Sequence, residues 1–375
     1  MKVVLAPDSF KGSLSAADAA DAMARGVAAV APEAETVCCP IADGGEGTAA
    51  ALTAAAGGRM HRVEVTGPLP GQRVDASWAE LPGETAVIEM AEAAGLGLVP
   101  EAERDTRRCT TYGVGELIRR ALDAGARSLL LTLGGSATTD GGTGCVQALG
   151  VRFTMADGRT RGPVDPPLTG ADLPDLTGID RSGLDPRLQG LTLNVACDVT
   201  NPLFGPDGAA HVYGPQKGAD AAAVSMLDAG LRHLAELAGG DPDTPGAGAA
   251  GGMGYAGFRF LSGRLRPGID LVLEAVRFAE RVRNATHLLT GEGRMDGQSL
   301  RGKAVLGVAN ATRAANPACR IVALVGSAEA SLLSSPPPPL DGLHLIAPDV
   351  PAETSIREAA TFLEAATAAC LKRHG

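Results

Sequence analysis

The sequence has few aromatic residues and no long apolar segment. Aromatic residues make up 3% of its 375 residues and include one tryptophan, whereas hydrophobic residues as a whole make up 45%. The core must therefore be built mainly from alanine, valine and leucine. Because no run of about 18 uncharged apolar residues is present, we expect no transmembrane helix. The apolar stretch at the start of the sequence is too short to predict a signal peptide.

Positive charge and metal-type cysteine spacing are also scarce. A formal net charge of −10 argues against nucleic acid or an anionic membrane as the main partner, because both attract basic surfaces. The seven cysteines form no C-x-x-C pair, and no histidine stands at a zinc-site spacing from them. We therefore interpret the cysteines as buried thiols in a reducing compartment and expect a cytoplasmic protein.

Two common nucleotide signatures are missing as well. Neither G-x-x-x-x-G-K-[ST] nor G-x-G-x-x-G occurs, which argues against a P-loop and against a dinucleotide-dependent dehydrogenase. Glycine itself is abundant, with fifty residues, and it clusters after short apolar runs. Such clusters are typical of loops in which backbone approaches a ligand or adopts positive φ.

The apolar runs are typical of buried strands in a parallel sheet. They cover residues 2–7, 35–41, 85–90, 128–133, 191–196, 287–290, 320–325 and 343–347. Alanine-rich segments of helical spacing lie between many of them, which is the βαβ pattern of an α/β fold. Residues 61–67 and 73–80 predict a hairpin, residues 157–190 predict little regular structure, and the glycine-rich residues 239–257 predict an interdomain loop, hinge or lid.

We therefore expect an α/β protein of two domains. A discontinuous, Rossmann-like parallel-sheet domain takes residues 1–60 and 285–375, and a mixed α/β domain, residues 61–284, is inserted into it. Polar loops follow the strands of the first domain at residues 8–13, 43–48 and 291–299. Because ligands bind beyond the carboxyl ends of parallel strands, these loops should share one functional edge.

In the inserted domain, a loop at residues 134–144 is rich in glycine, serine and threonine and precedes a predicted helix. Exposed backbone N–H groups at such a place suit phosphate, although loops of this kind are also common turns.

Lysine usage points to anion contacts. Five of the 33 basic residues are lysines, and three of these, Lys11, Lys217 and Lys303, stand in glycine-bearing polar segments. A compact ammonium is not interchangeable with a guanidinium, so we predict that at least one of them, Lys11 first, contacts phosphate or a carboxylate. The alternative is three surface lysines at turns.

Carboxylates at strand ends could serve metal binding or proton transfer, which phosphoryl transfer requires. They are Asp8, Asp43, Glu46, Asp140, Asp198, Glu292 and Asp296. Each one taken alone could equally cap a helix or a turn.

Six long segments together resemble the type I bacterial glycerate kinase family. They lie at residues 6–15, 40–48, 134–150, 197–218, 248–255 and 290–303, and read APDSFKGSLS, PIADGGEGT, GGSATTDGGTGCVQALG, CDVTNPLFGPDGAAHVYGPQKG, GAAGGMGY and TGEGRMDGQSLRGK. The resemblance covers essentially the whole chain. It implies phosphorylation of D-glycerate by ATP with Mg²⁺, giving 2-phosphoglycerate, by two α/β domains with the active site in the cleft between them.

Within that function we assign residue roles as our own hypotheses. Lys11 and Arg294 would neutralise the transferring phosphate or hold the glycerate carboxylate. Two of Asp43, Asp198 and Asp296 would bind Mg²⁺ directly or through water, with Asp198 and Asp296 preferred, and the third would accept the hydroxyl proton. The predicted nucleotide contacts are Gly134, Gly135, Ser136, Thr138 and Lys217. The predicted substrate contacts are Asp8, Ser9, Ser13, Glu46 and Lys303.

Several alternatives stay open. The product could be 3-phosphoglycerate, or the acceptor a related small hydroxy acid. A sensor that binds glycerate or nucleotide without catalysis is a different class, disfavoured by the many carboxylates at strand ends. A monomer and a homodimer are both compatible with the sequence.

Overall fold

A computed structural model describes residues 1–297 and 304–374. The strands are β1 Lys2–Pro7, β2 Glu35–Cys38, β3 Arg59–Thr66, β4 Arg73–Leu81, β5 Thr85–Glu89, β6 Ser128–Thr132, β7 Arg152–Met155, β8 Thr160–Arg161, β9 Leu176–Asp180, β10 Thr192–Ala196, β11 Arg264–Arg266, β12 His287–Met295, β13 Arg320–Ala328 and β14 Gly342–Leu345. The α-helices are α1 Ala16–Val30, α2 Thr48–Ala56, α3 Ala91–Ala94, α4 Tyr112–Asp123, α5 Thr143–Ala148, α6 Ala209–Tyr213, α7 Ala221–Ala238, α8 Met253–Arg259, α9 Gly268–Ala275, α10 Phe278–Val282, α11 Ala304–Ala315, α12 Ala330–Ser334, α13 Ala352–Arg357 and α14 Ala359–His374.

The chain divides into two compact units. Unit 1 comprises Met1–Asp43, Ala50–Gly58 and Ile269–Gly375, and unit 2 comprises Gly44–Ala49 and Arg59–Gly268. Residues 269–284, which the sequence placed in the inserted domain, belong to unit 1.

Unit 1 contains a five-stranded sheet in the order β14-β13-β12-β1-β2, with every neighbouring pair parallel. The predicted parallel sheet of an α/β protein is thus confirmed. Numbered within the unit alone, the strand order is 2-1-3-4-5, that of a doubly wound sheet. The order reverses between β1 and β12, and the carboxyl ends of these two strands are where such a sheet binds its ligands.

Helix α1 shows how the sequence builds this layer. The Ser15 hydroxyl accepts a hydrogen bond from the Asp18 backbone N–H at 3.1 Å, which caps the helix. Ala19, Met23 and Val27 recur every four residues and are fully buried. Burial of Met23 and of Val27 stabilises the fold by about 1.5–3 kcal/mol each.

Unit 2 contains a mixed six-stranded sheet in the order β11-β10-β6-β5-β4-β3. Strands β11, β10, β6 and β5 run parallel, whereas β3 and β4 form the predicted antiparallel hairpin. The parallel strands bring the ends of β5, β6 and β10 to one edge, which carries the unit's polar loops.

Two expectations for unit 2 need correction. Residues 157–190 are more regular than predicted, because β8 and β9 pair with β7 in a small antiparallel sheet and 3₁₀ turns cover Gly170–Asp175 and Pro186–Gly190. Residues 239–257 lie wholly inside unit 2 and include the start of α8. They are therefore no interdomain connection, and the fully buried Tyr255 anchors them to the core.

In the described part of the chain, no helix is long and apolar enough to cross a membrane. All seven cysteines are free thiols.

Candidate active site

Three carboxylates follow adjacent strands at the edge of the unit 1 sheet. Asp8 follows β1, and its backbone N–H donates to the Gly291 carbonyl at 2.8 Å, so Asp8 lies beside Glu292 of β12. On the other side the Ile41 N–H donates to the Pro7 carbonyl at 2.9 Å, which extends the β1–β2 pairing towards Asp43. Asp8 thus occupies the point where the strand order reverses, between two other acidic residues.

The electrostatics of Asp8 follow from this position. The pKa of Asp8 is raised from 3.8 to about 7, chiefly by burial. The Ser9 backbone N–H, which donates to Asp8 Oδ1 at 2.6 Å, opposes this shift, and the negative charges of Asp43 and Glu292 contribute to it. A carboxyl group with this pKa exchanges its proton near neutral pH, as a general base or acid must.

The loop after Asp8 presents a lysine to solvent. Phe10 is buried, and its backbone pairs with Leu14 through reciprocal hydrogen bonds of 2.9 and 3.0 Å. The turn between them contains Gly12 at φ +80°, a conformation that glycine adopts readily. Lys11 lies on this turn and is exposed, and no carboxylate in the described residues forms an ion pair with it.

Lys11, Ser13 and Arg294 line one cavity of about 400 Å³ at the ends of β1 and β12. Arg294 is 75% exposed and lies 3.5 Å from Asp296 Oδ2. Predicted catalytic and substrate-binding residues therefore come together in unit 1. Lys303, predicted as a substrate contact, lies outside the described residues.

The glycine-rich loop of unit 2 is held from within. Lys217 is 2% exposed, and its Nζ donates to Ser136 Oγ at 2.8 Å and to the Thr138 carbonyl at 2.7 Å. Burial lowers the pKa of Lys217 to about 8, while the nearby Asp140 carboxylate opposes that shift. Lys217, Ser136 and Thr138 are thus brought together as predicted, but they face one another rather than solvent.

Asp140 organises the same loop. It is fully buried and accepts hydrogen bonds from the Thr111 N–H and hydroxyl at 2.8 and 2.7 Å, and from the Gly142 and Gly144 N–H groups at 3.1 and 3.3 Å. The role of Asp140 is therefore that of a turn-forming residue, the alternative that its sequence position left open.

Two residues of the loop remain accessible. Gly134 is partly exposed and Gly135 is exposed, at φ +71°. A Cβ added to Gly135 would lie 2.6 Å from Glu46 Oε1, so an acidic side chain borders this part of the loop. Asp198 lies at the end of β10, and its Oδ1 accepts the Gly268 N–H at 2.9 Å.

Glu89 is a residue that the sequence analysis missed. It ends β5, is 5% exposed, and accepts hydrogen bonds from the Gly47 N–H at 2.9 Å and the Ala49 N–H at 2.6 Å. The Glu89 carboxylate, at the end of β5, therefore caps the N-terminus of α2 and holds the segment that contains Glu46 in place. Burial raises the pKa of Glu89. The signal was an acidic residue inside an otherwise apolar strand, which requires a partner.

Several known proteins are similar to this sequence over most of its length. The model of the glycerate kinase family matches residues 3–374. A protein named glycerate 2-kinase from Escherichia coli (strain K12) is 49% identical over 84% of this chain and 82% of its own length. A glycerate kinase from Bacillus subtilis (strain 168) is 46% identical over 97% of this chain and 95% of its own.

A crystal structure is similar throughout. It is described as that of a "putative glycerate kinase 2" from Salmonella typhimurium LT2, and it covers 100% of this chain and 98% of its own with a TM-score of 0.88 at 42% identity. Since the family match and the relatives span nearly all of the sequence, the chain belongs to the glycerate kinase family, a family of phosphotransferases.

Proposed function

We propose that this chain transfers the terminal phosphoryl group of ATP to D-glycerate and releases 2-phosphoglycerate. The observation that supports this most is the arrangement in unit 1, where two exposed cations, Lys11 and Arg294, line one cavity and Asp8 follows one of the same strands. Cations stabilise the charge on a transferring phosphate, and a carboxylate with a pKa near 7 can accept the proton of a hydroxyl group.

Each unit supplies further roles to this proposal. Asp43 and Asp8 are the proposed acceptors of the hydroxyl proton, while Ser9 and Ser13 contact the substrate. In unit 2, Glu46 contacts the acceptor, and Gly134 and Gly135 are the accessible residues of the loop that borders it. The buried residues Ser136, Thr138 and Lys217 would then hold the loop in shape.

The carboxylates of the chain can supply part of the coordination shell of a Mg²⁺ ion. In the chain as far as it is described, no group of three or more histidine, cysteine, aspartate or glutamate side chains is arranged to hold a metal ion. Mg²⁺ is usually bound by one or two carboxylates, with water and substrate phosphates completing its shell, so a protein cage is not needed. Asp296 of unit 1 and Asp198 of unit 2 each offer carboxylate oxygens, and a bound ion would neutralise phosphate charge.

The position of phosphorylation rests on a relative. The Escherichia coli protein is named glycerate 2-kinase, which favours attack by the 2-hydroxyl group. 3-Phosphoglycerate as the product and a related small hydroxy acid as the acceptor are the alternatives. A cytoplasmic location belongs to the same proposal, supported by the seven free thiols.

A ³¹P NMR time course with ATP, Mg²⁺ and D-glycerate tests the proposal. We expect the phosphomonoester resonance of 2-phosphoglycerate to grow, and to be absent without Mg²⁺. A 3-phosphoglycerate resonance would contradict the proposed position while leaving the kinase in place. Intact ATP after hours, with glycerate bound, would contradict the kinase and favour a sensor. A panel of C3 and C4 hydroxy acids in the same assay tests the acceptor.

A further inference from the structure

The cavity of unit 1 has two chemically different parts. Its volume of about 400 Å³ lies in the range of small-molecule sites, about 300–1,000 Å³. One end is formed by the loops after β1 and β12, and contains Lys11 and Arg294. The opposite wall is formed by the end of β14 and the segment leading into α13 and α14, and is mostly apolar.

The charged end selects for anions. Lys11 and Arg294 are the charged residues that line the cavity in the described part of the chain, and three hydroxyl groups, of Ser13, Ser327 and Ser355, accompany them. Arg294 lies 3.5 Å from Asp296 Oδ2, whereas Lys11 forms no ion pair with a carboxylate of the described residues. Two cations, one of them without such a partner, on a protein of net charge −10 indicate an anionic ligand.

The apolar wall is too large for glycerate. It includes Leu345, Ile346, Val350 and Ile356, and Ile356 is 53% exposed, one of few large apolar side chains in the described residues that lie open to solvent. Glycerate has one carboxylate, two hydroxyl groups and no apolar surface to cover such a wall. A flat heterocycle would cover it, because ring faces pack on aliphatic side chains while their edges form hydrogen bonds.

Two glycine residues contribute backbone to the lining of the cavity. Gly293 and Gly326 line it, and a Cβ added to Gly326 would lie 2.6 Å from the Gly293 carbonyl oxygen. The β12 and β13 ends therefore approach closely where larger side chains would not fit. The two glycines thus allow the strand ends that line the cavity to lie close together.

We infer that this cavity binds the nucleotide, with the base against the apolar wall around Ile356 and the phosphates at Lys11 and Arg294. The inference rests on the proposed function and revises the nucleotide contacts predicted at residues 134–138. In that loop the polar side chains are already hydrogen-bonded to Lys217 or buried, and Glu46 borders the exposed Gly135, where it would repel phosphate.

Binding measurements separate the base from the phosphates. Isothermal titration calorimetry with ATP and with inorganic tripolyphosphate, both with Mg²⁺, is made on the wild type, Ile356→Asn and the control Val164→Asn. Val164 is a 97% exposed apolar residue of unit 2, outside both sites. We expect Ile356→Asn to weaken ATP binding about tenfold, to leave tripolyphosphate binding within about twofold, and the control to change neither.

A second variant and a second type of measurement control for misfolding of the Ile356→Asn variant. Ala347→Phe fills the cavity from the same wall and should also weaken ATP binding while the KM for D-glycerate stays within about twofold. Photolabelling of the wild type with 8-azido-ATP, followed by peptide mapping, should modify residues 343–359. ATP at saturating concentration should suppress that label.

Two kinds of outcome would overturn the inference: one would place the nucleotide elsewhere, and the other would assign the cavity to the acceptor. Label in residues 134–144, or unchanged ATP binding in both variants, would place the nucleotide elsewhere. A higher KM for D-glycerate with unchanged ATP binding would assign the cavity to the acceptor. Both are distinct from failure of the proposed function, in which the wild type itself would neither bind ATP nor consume it with D-glycerate.

Discussion

Two lysines that look alike in the sequence have opposite surroundings. Lys11 and Lys217 each stand next to a glycine in a polar segment. Lys11 is exposed and makes no ion pair in the described part of the chain, whereas Lys217 is buried and donates to Ser136 and Thr138. The same residue type thus faces a cavity in unit 1 and braces a loop in unit 2.

The difference lies in whether the protein satisfies its own polar groups. A buried ammonium must be hydrogen-bonded by the fold, and such a group is already used. An exposed cation that lines a cavity without a carboxylate neighbour can bind an external anion. In the 134–144 loop, Lys217, Ser136 and Asp140 are hydrogen-bonded by the fold, whereas the Thr138 hydroxyl is buried without a partner in the described residues. The predictions below test the contrast between the two lysines.

Lys11→Ala should have the largest effect. Loss of a cation beside the transferring phosphate should lower kcat/KM about 10²–10³-fold, and the melting temperature should change little because Lys11 is exposed. Steady-state kinetics and differential scanning calorimetry measure the two quantities. Lys372→Ala, an exposed lysine of α14, is the matched control and should keep wild-type kinetics. Wild-type activity in Lys11→Ala would refute the role of the unit 1 edge.

Lys217→Met should act mainly on stability. It removes two buried hydrogen bonds and the positive charge near Asp140, so the free energy of unfolding should fall by about 3 kcal/mol. Chemical denaturation at pH 7 measures it. Lys2→Met removes a surface ion pair to Glu35 and should cost at most about 1 kcal/mol. An equal effect of the two variants would contradict a bracing role for Lys217.

The pH dependence sharpens this prediction. The pKa of Lys217 is lowered from 10.5 to about 8 by folding, so between these values the unfolded state binds more protons than the folded state. The wild type therefore gains stability from this group as pH rises from about 8 to 10.5. The gap between wild type and Lys217→Met should widen over this range, and a constant gap would contradict the shift.

Glu89→Gln should have an intermediate effect. The amide keeps one acceptor oxygen but turns its NH₂ group towards a backbone donor, which should cost about 1–3 kcal/mol of unfolding free energy. Because the disturbed segment carries Glu46, the KM for D-glycerate should rise as well. Glu92→Gln, whose carboxylate accepts the Ser77 N–H at 2.7 Å, is a control that should leave KM unchanged. A rise in KM in both variants would mean a general loss of structure.

Asp8→Asn should raise the free energy of unfolding slightly. This direction is opposite to that expected for Lys217→Met and Glu89→Gln. The pKa of Asp8 is raised from 3.8 to about 7, so its charge destabilises the fold above pH 7 and this cost disappears below about pH 4. The variant should be about 1–2 kcal/mol more stable than wild type at pH 8 in EDTA, and no more stable at pH 4. Asp21→Asn, on the exposed face of α1, is the control. Equal stability of the variant and the wild type at both pH values would contradict the raised pKa of the buried Asp8.

Sequence periodicity predicted most of the strands, because buried parallel strands require continuous apolar runs. Strand ends were less predictable: β12 extends to Met295, five residues beyond the predicted end, since Gly291 and Gly293 permit close pairing with β13 and the Phe10 loop. Residues 157–190 were missed because short polar strands of a small sheet carry no apolar run.

The candidate site was predicted unevenly for a physical reason. Residue types at strand ends indicated Asp8, Lys11 and Arg294, because local sequence determines which strand they follow. Burial depends on distant segments, so nothing near Lys217 revealed that its ammonium would be enclosed by the 134–138 loop. The apolar wall around Ile356 is likewise formed by a segment that lies more than 330 residues after Lys11 in the sequence.

Hydrogen–deuterium exchange with and without the ATP analogue AMP-PNP and Mg²⁺ tests the contrast most directly. In residues 134–144 many amides are hydrogen-bonded within unit 2, so we predict slow exchange there without ligand and little change on binding. The exposed turn at Lys11 and Gly12 and the loop at residues 347–351 should exchange faster and become protected by the nucleotide. Protection confined to residues 134–144, with the unit 1 segments unchanged, would contradict the account.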